Sequence, residues 1–183
     1  MDSKIRQTLA VLVDNEAGVL SQVSRLFSRK GYNIESLAVG TTDDPSVSRI
    51  TIEVMADQPH AELLCNQLRK LFPVHSVKLL EPERSIRREL VLIKVEAKTS
   101  DVRNEIIQVA NIFRASVIDV SVNTLTVALI GDENKAEAIQ RLLEQHGIME
   151  MVRTGIIALE RGQYTITEDT KEKGEFNYGK NVL

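Results

Sequence analysis

The chain has 183 residues, of which 43% are hydrophobic and 27% are charged, a composition typical of a globular protein with one or two small domains. The net charge of −3, the 4% of aromatic residues and the absence of tryptophan argue against nucleic acid as a main partner, because phosphates select clustered cations and unpaired bases select aromatic side chains. No apolar run approaches the roughly 20 residues that a bilayer requires and the polar first residues resemble no export signal, so we expect a cytoplasmic protein without a membrane span.

The first half of the sequence predicts the order strand, helix, strand, strand, helix, strand over residues 4–80. Strands are indicated where apolar side chains recur at every second position, and helices where they recur at intervals of three and four. The first helix is expected to end before Gly31, and the second to begin near Asp57 with Pro59 in its first turn. The residues that carry these patterns are Leu9, Val11 and Val13; Val19, Val23, Leu26 and Phe27; Ile50, Ile52 and Val54; Leu64, Leu68 and Leu71; and Val74–Leu80.

The second half repeats this order after the polar linker Glu81–Arg84. The expected elements are strands at Glu89–Ala97, Val117–Val122, Leu125–Ile130 and about Val152–Leu159, with helices from near Ser100 and from about Glu133 to Gly147. The sequence therefore predicts an α+β fold of two ferredoxin-like βαββαβ domains, at 4–81 and 86–161, and a flexible polar tail at 162–183. Alternation of Ile50, Ile52 and Val54 with polar residues indicates a strand with one wet face. Edge strands and the sheet face without helices need a partner, so we expect self-association.

Residues that could support catalysis or bind a metal are scattered along the sequence. His60, His75 and His146 fall on different elements, with no carboxylate or cysteine at the spacing of metal ligands. Cys65 lies among the apolar residues of a predicted helix, which favours a small core side chain over a reactive thiol. The sequence also lacks a glycine-rich phosphate loop. These observations do not predict an enzyme active site.

The loop that follows the first strand has the features of a site for a free amino acid. Residues 14–18 open the first helix, whose first-turn N–H groups have no intrahelical acceptor and favour a carboxylate. Gly18 carries no Cβ that would block such a ligand, and Asn15 offers an oxygen to an ammonium group and an NH2 to a carboxylate. Spacing alone favours a simpler interpretation, in which Asn15 is a helix N-cap and Gly18 a turn residue.

The sequence NEAGVLSQVSRLFSRKGYNIESL at 15–37, with the turn TDDPSVSR at 42–49, resembles the ACT domain of acetohydroxyacid synthase regulatory subunits. The resemblance runs from about Arg6 to Glu160, and FRASVIDV at 113–120 resembles the C-terminal domain of that family. It implies an N-terminal ACT domain that forms a homodimer and an ACT-like C-terminal domain. Ala17 stands where relatives often have Ser or Pro, and we expect little consequence because this side chain need not touch a ligand.

In amino-acid-binding ACT domains, the loop after the first strand meets the start of the second strand of a neighbouring subunit, and the ligand lies between them. The residues that the resemblance assigns to this effector site are Asn15, Gly18, Val19, Leu20 and Ser21 of one chain, with Asn33 and Ile34 of the partner subunit. Valine is the expected effector, and leucine or isoleucine would also fit.

The resemblance also implies a function in branched-chain amino acid biosynthesis. A chain of this family is a non-catalytic subunit that activates the catalytic large subunit of acetohydroxyacid (acetolactate) synthase and makes it sensitive to valine. Thiamine diphosphate, magnesium and FAD belong to the large subunit, so no cofactor is expected in this chain. The alternative is a free-standing, amino-acid-sensing ACT regulator of transcription or of another enzyme, although neither half has spare length for a DNA-binding helix pair.

Overall fold

The computed structural model describes residues 4–169 of the chain. They divide into two compact units, the first built mainly from residues before Ile86 together with those from Leu159 onward, and the second mainly from Ile86–Ala158. Each unit combines one β-sheet with two α-helices, which confirms the predicted α+β fold of two βαββαβ units. Between residues 4 and 169, no helix is long and apolar enough to cross a membrane.

The first unit contains a four-stranded sheet. Its elements are β1 (Ile5–Asp14), α1 (Val19–Arg29), β2 (Ile34–Thr41), β3 (Val47–Ala56), α2 (Gln58–Leu68) and β4 (Val74–Leu80). The strand order is β2-β3-β1-β4, and β1 runs antiparallel to both β3 and β4. This order places β2 at one edge of the sheet and β4 at the other. A short 3-10 turn at Pro82–Arg84 leads out of β4.

The core of the first unit forms where the apolar faces of β1 and β3 coincide. Leu9 pairs with Ile52 and Val11 with Ile50, and all four side chains are buried together with Phe27 of α1. Because side chains alternate across a strand, the period-two pattern of the sequence creates this single apolar face. Each such side chain contributes roughly 1.5–3 kcal/mol when it leaves water.

The other face of this sheet is also buried, which corrects the expectation of a wet face. Thr51 and Glu53 of β3 are only 3% and 1% exposed. Glu53 Oε1 accepts a hydrogen bond from Thr8 Oγ1 at 3.2 Å, and Glu53 Oε2 lies 3.9 Å from Arg6 Nη1. The polar residues that alternate along β3 therefore lie on a buried sheet face. They are tolerated there because they form hydrogen bonds and ion pairs with polar residues of β1.

Residues after Glu160 contribute to the cover of this face. Ser76 Oγ donates a hydrogen bond to the Ile166 carbonyl at 2.7 Å, and the Ile166 side chain is buried. Lys78 Nζ lies 2.6 Å from Glu160 Oε2 and also donates to the Thr165 carbonyl at 3.3 Å. The sequence predicted a flexible tail from residue 162, but these contacts hold residues 165 and 166 on β4. The remainder of that expected tail, 170–183, lies outside the described residues.

The second unit repeats this fold with a sheet of five strands. Its elements are β5 (Ser85–Glu96), α3 (Ser100–Ile112), β6 (Ser116–Val120), β7 (Thr124–Gly131), α4 (Glu133–Glu144), β8 (Ile148–Arg153) and β9 (Ile157–Glu160). The strand order is β6-β7-β5-β8, and β9 also pairs with β5. One predicted strand, at about 152–159, is therefore two strands. They are separated at Thr154–Ile156, where Gly155 adopts a φ of 80°.

Candidate functional site

The loop between β1 and α1 is held in place by main-chain and side-chain contacts. Asp14 N–H donates to the Pro73 carbonyl at 2.8 Å, and Asp14 Oδ1 lies 2.7 Å from His75 Nε2. The next amide, Asn15 N–H, donates to the Ser46 carbonyl at 2.7 Å. The loop is thus fixed by the start of β4 on one side and by the β2–β3 turn on the other.

Asn15 holds the β2–β3 turn with its side chain as well. Its Nδ2 donates to the Pro45 carbonyl at 2.9 Å, and its Oδ1 accepts from Ser48 Oγ at 3.0 Å. The interpretation of Asn15 as a helix N-cap is wrong, because the residue at the N-cap is Gly18. An amide side chain has two N–H donors and two acceptor lone pairs, so Asn15 retains one of each for a ligand.

Helix α1 starts without the cap that most helices carry. Gly18 has φ 88° and ψ −11°, and within the described chain no side chain accepts a hydrogen bond from the amides of the first turn. Val19 N–H makes only a long bond of 3.4 Å to the Glu16 carbonyl, and helical geometry gives Leu20 and Ser21 no acceptor one turn earlier. The first turn contains no acidic residue. We call these amides, with Gly18, the open start of α1; it carries the positive end of the helix dipole.

The glycine is required here by its backbone conformation. A Cβ on Gly18 would meet no atom of residues 4–169 within 4 Å, so crowding is not the reason. A φ of 88° is rare for residues that carry a Cβ. The backbone conformation therefore explains the glycine, whereas the sequence suggested steric access for a ligand as the reason.

Three side chains follow Gly18 in the predicted site and differ in their surroundings. Val19 is 4% exposed and packs into the core, so only its backbone faces the site. Leu20 is 41% exposed, and Ser21 is exposed as well. The open start of α1 is thus flanked by an apolar side chain and by a hydroxyl.

Asn33 and Ile34 lie at the other end of α1. The 11 residues of α1 span about 16 Å, which separates these two residues from the open start within one chain. Asn33 Nδ2 donates to Glu35 Oε1 at 2.9 Å, and Asn33 lines a cavity of about 390 Å³ together with Tyr32. The structure therefore brings Asn15–Ser21 together and does not bring Asn33 or Ile34 to them within one chain.

The described residues do not form a metal site, and the thiol of Cys65 on α2 is buried. In the part of the chain that the structure describes, no three His, Cys, Asp or Glu side chains are grouped so that they could hold a metal ion. Burial raises the pKa of the Cys65 thiol to about 11, so the thiol stays protonated at neutral pH. Exposed amides and an amide side chain can bind a carboxylate and an ammonium group, but they supply no nucleophile or general base.

The residues that fix Asn15 were not assigned from the sequence. Ser48 lies on β3, two residues before Ile50 and four before Ile52. It therefore shares a sheet face with these two buried side chains. A hydroxyl among buried apolar positions needs a hydrogen-bond partner, and this is the signal that could have identified Ser48. Pro45 and Ser46 contribute only carbonyl groups, which any residue type would supply.

Comparisons with known proteins agree over both units. A model of the acetohydroxyacid synthase small subunit-like ACT domain matches residues 9–76, and a model of the small subunit of acetolactate synthase matches residues 88–162. The acetolactate synthase small subunit of Mycobacterium leprae is 48% identical over 155 residues, which cover 85% of this chain and 91% of that protein.

A more distant relative and a solved structure are also acetolactate synthase small subunits. A probable acetolactate synthase small subunit of Methanothermobacter thermautotrophicus is 42% identical over 158 residues, or 86% of this chain and 94% of that protein. The crystal structure of the acetolactate synthase small subunit from Thermotoga maritima superposes with a TM-score of 0.81 at 36% identity, over 87% of this chain and 99% of that one.

Proposed function

Because the chain belongs to the family of acetolactate synthase small subunits, we propose that it is a non-catalytic regulatory subunit that activates the catalytic large subunit and makes it sensitive to valine. Thiamine diphosphate, magnesium and FAD would be bound by that large subunit. The observation that carries the proposal is the open start of α1, which places free amides at a helix N-terminus beside Asn15.

The ligand carboxylate would accept hydrogen bonds from the amides of Leu20 and Ser21. A hydrogen bond to a charged group contributes about 1.5–3 kcal/mol, and the helix dipole favours the same charge. The remaining lone pair of Asn15 Oδ1 suits the ammonium group. The exposed Leu20 side chain offers apolar surface for an isopropyl group, whose burial contributes on the order of 1.5–3 kcal/mol.

A second copy of the chain would complete this site. Strand β2 lies at the edge of its sheet, so two copies can join β2 to β2 and form one continuous sheet. Such a twofold dimer would place Asn33 and Ile34 of the partner subunit near the open start of α1, which one chain alone cannot do. Each dimer would then hold two equivalent valine sites, and each site would need both chains.

Feedback inhibition requires that valine and activation favour different arrangements of this dimer. The coupling is reciprocal: if valine weakens the activating association by some factor, the catalytic subunit weakens valine binding by the same factor. Because one methylene changes affinity by only about 1–3 kcal/mol, leucine and isoleucine would act through the same site with different strength.

The test combines the purified chain with a cognate catalytic subunit and measures acetolactate formed from pyruvate, with and without each branched-chain amino acid. We expect the chain to raise the rate, to form no acetolactate alone, and to make the rate fall as valine is added. Valine titration by calorimetry, with and without the catalytic subunit, checks the reciprocity. Equal valine affinity in both titrations would contradict the coupling, and an unchanged rate on mixing would contradict the function.

A further inference from the structure

The first unit has a second cavity, on the sheet face that carries no helix. Strands β1 and β3 form its floor, because Leu12 pairs with Arg49 and both side chains point away from the helices. The cavity measures about 350 Å³, within the range of about 300–1,000 Å³ for ligand pockets. We call it the rear cavity, and all of its lining residues belong to the first unit. Those that bear on its chemistry are Leu12, Asp43, Asp44, Val47, Arg49 and Ile166.

The cation of the rear cavity is the half-buried Arg49 of β3. Burial lowers the pKa of the Arg49 guanidinium, and the attraction of Glu160 raises this pKa by a smaller amount. A guanidinium stays charged at neutral pH. Because it presents five N–H donors in a planar fork, it can bind the carboxylate of a ligand in addition to its contacts within the chain.

The anions of the rear cavity come from the β2–β3 turn. Asp43 and Asp44 both line the cavity. Asp44 Oδ1 accepts hydrogen bonds from Ser46 Oγ at 2.7 Å and from Ser46 N–H at 2.8 Å, and these bonds hold the pKa of Asp44 below its usual value. Asp44 is therefore ionised at neutral pH, and its second oxygen can accept a hydrogen bond from an ammonium group.

The apolar part of the lining comes from β1, β3 and the residues after β9. Leu12 is 8% exposed, Ile166 is 7% exposed and Val47 is half-buried. Ser76 Oγ donates to the Ile166 carbonyl at 2.7 Å, which fixes Ile166 over the sheet. These side chains give an apolar group of a ligand a surface on which it can leave water.

Together, these groups match the three parts of a free amino acid. The Arg49 guanidinium suits the carboxylate, Asp43 and Asp44 suit the ammonium group, and the apolar residues suit the side chain. A ligand with a single charge would satisfy only one of these two kinds of charged group. We propose that the rear cavity binds a free α-amino acid with an apolar side chain. Gly18–Ser21 do not line this cavity, so it is a site separate from the proposed valine site.

The rear cavity and the open start of α1 share the β2–β3 turn. Asp44 holds Ser46 in this turn, and the Ser46 carbonyl accepts from Asn15 N–H at 2.7 Å. His75 also lines the cavity, and its Nε2 lies 2.7 Å from Asp14 Oδ1, one residue before Asn15. A ligand in the rear cavity therefore lies against residues that position Asn15, and a test has to separate the two sites.

The first experiment uses the full chain with 13C-labelled isoleucine methyl groups and L-leucine as the probe. The Ile166 signal, identified by its absence from Ile166→Val, reports on the rear cavity because Ile166 lines it. In the parent chain and in Gly18→Asp, we expect this signal to shift and to saturate at millimolar leucine, since ion pairs open to solvent are weak. A signal that does not move, or that moves in the parent chain alone, would overturn the proposal.

Two further probes carry one charge each and test the chemistry of the ligand. Isocaproate has the carboxylate and the side chain of leucine without the ammonium group, and isoamylamine has the ammonium group without the carboxylate. We expect each to bind at least about tenfold more weakly than leucine, because each leaves one kind of charged group in the cavity without a ligand partner. A titration of the Ile166 signal in which either analogue matches leucine would contradict the assignment.

Variants of the lining test the same point from the side of the protein. Arg49→Gln removes the cation, and we expect the leucine affinity from the Ile166 signal to fall about tenfold or more. Arg25→Gln is the matched control, because Arg25 is exposed on α1, which packs on the other face of the sheet, and should leave this affinity unchanged. Asp43→Asn lies in an exposed turn and gives a second test that spares the core. Affinity like that of the parent chain in both Arg49→Gln and Asp43→Asn would overturn the proposal.

The proposed valine site fails or holds independently of this result. We expect Gly18→Asp to lose valine inhibition of acetolactate formation and to keep the leucine-dependent shift of Ile166. We expect Arg49→Gln to lose that shift and to keep valine inhibition. Valine inhibition that persists in Gly18→Asp would contradict the proposed valine site alone, whereas loss of the Ile166 shift in Gly18→Asp would contradict the rear cavity as a separate site.

Discussion

Helices α1 and α3 hold the same place in the two units, yet they begin differently. At α3, Thr99 Oγ1 accepts a hydrogen bond from Val102 N–H at 3.3 Å, and Asp101 lies in the first turn. At α1, the N-cap is Gly18, which has no side chain to offer. A capped start satisfies one amide and neutralises part of the helix dipole, whereas the open start leaves both available for a ligand.

The other two helices follow α3. Asp57 caps α2 by accepting from His60 N–H at 2.9 Å, and Asp132 caps α4 by accepting from Lys135 N–H at 3.0 Å. Three helices of the described chain therefore use a side-chain cap, and the one that does not begins beside Asn15. The comparison teaches that the missing cap costs α1 some stability and leaves its first-turn amides available, whereas α3 and α4 of the second unit both begin with a side-chain cap.

The largest effect is expected when the open start of α1 is given a negative charge. Gly18→Asp places a carboxylate where the ligand carboxylate would bind, so we expect valine to inhibit at least about a hundredfold more weakly while activation is retained. Gly18→Asn is the matched control, because it has nearly the same size and the same backbone strain without the charge. Acetolactate formation over a valine titration measures both variants. Equal inhibition of Gly18→Asp and the parent chain would place the site elsewhere.

A smaller effect is expected when the support of Asn15 is removed. Ser48→Ala deletes the hydroxyl that donates to Asn15 Oδ1 at 3.0 Å, which frees the side chain to rotate. We expect valine affinity to fall about tenfold, since a hydrogen bond of this kind is worth about 0.5–1.5 kcal/mol and the amide also loses its orientation. Ser46→Ala is the control, because Ser46 binds Asn15 through its carbonyl, which the substitution keeps. Calorimetry gives the valine affinities of both variants. An equal loss of affinity in the two would show that the Ser48 hydroxyl does not orient Asn15 for the ligand.

The contacts of Asn15 also show how far the sequence could predict this site. The order of strands and helices in the first unit, the loop at 14–18 and the start of α2 at Asp57 follow from local patterns, and the structure confirms them. The partners of Asn15 lie about 30 residues away in the chain, so no local pattern contains them. For the same reason, alternation in β3 predicted a wet face at Glu53, whose partners Thr8 and Arg6 come from another strand.

The capped start of α3 provides the converse test. Thr99→Ala removes the cap, and we expect a loss of about 1 kcal/mol in the free energy of unfolding, within the usual range of about 0.5–2 kcal/mol for a cap. Valine inhibition should not change, because α3 and α4 both begin with a side-chain cap and lie outside the proposed valine site. Chemical denaturation measures the first quantity and the acetolactate assay the second. A change in valine sensitivity greater than about twofold would show that the two helix starts are coupled.

The smallest effect is expected at the cap of α2, and it depends on pH. The backbone and side-chain hydrogen bonds of His60 hold the pKa of Asp57 below its usual value of 3.8. A carboxyl group whose folded pKa is lowered stabilises the fold above the unfolded pKa, and this contribution is lost as the pH falls through the folded pKa. Asp57→Asn keeps a capping side chain that does not titrate. We therefore expect the thermal midpoints of the two proteins to differ near neutral pH and to converge as the pH falls through the lowered pKa of Asp57, which differential scanning calorimetry can follow. A constant difference down to pH of about 2 would show that the charge of Asp57 does not contribute.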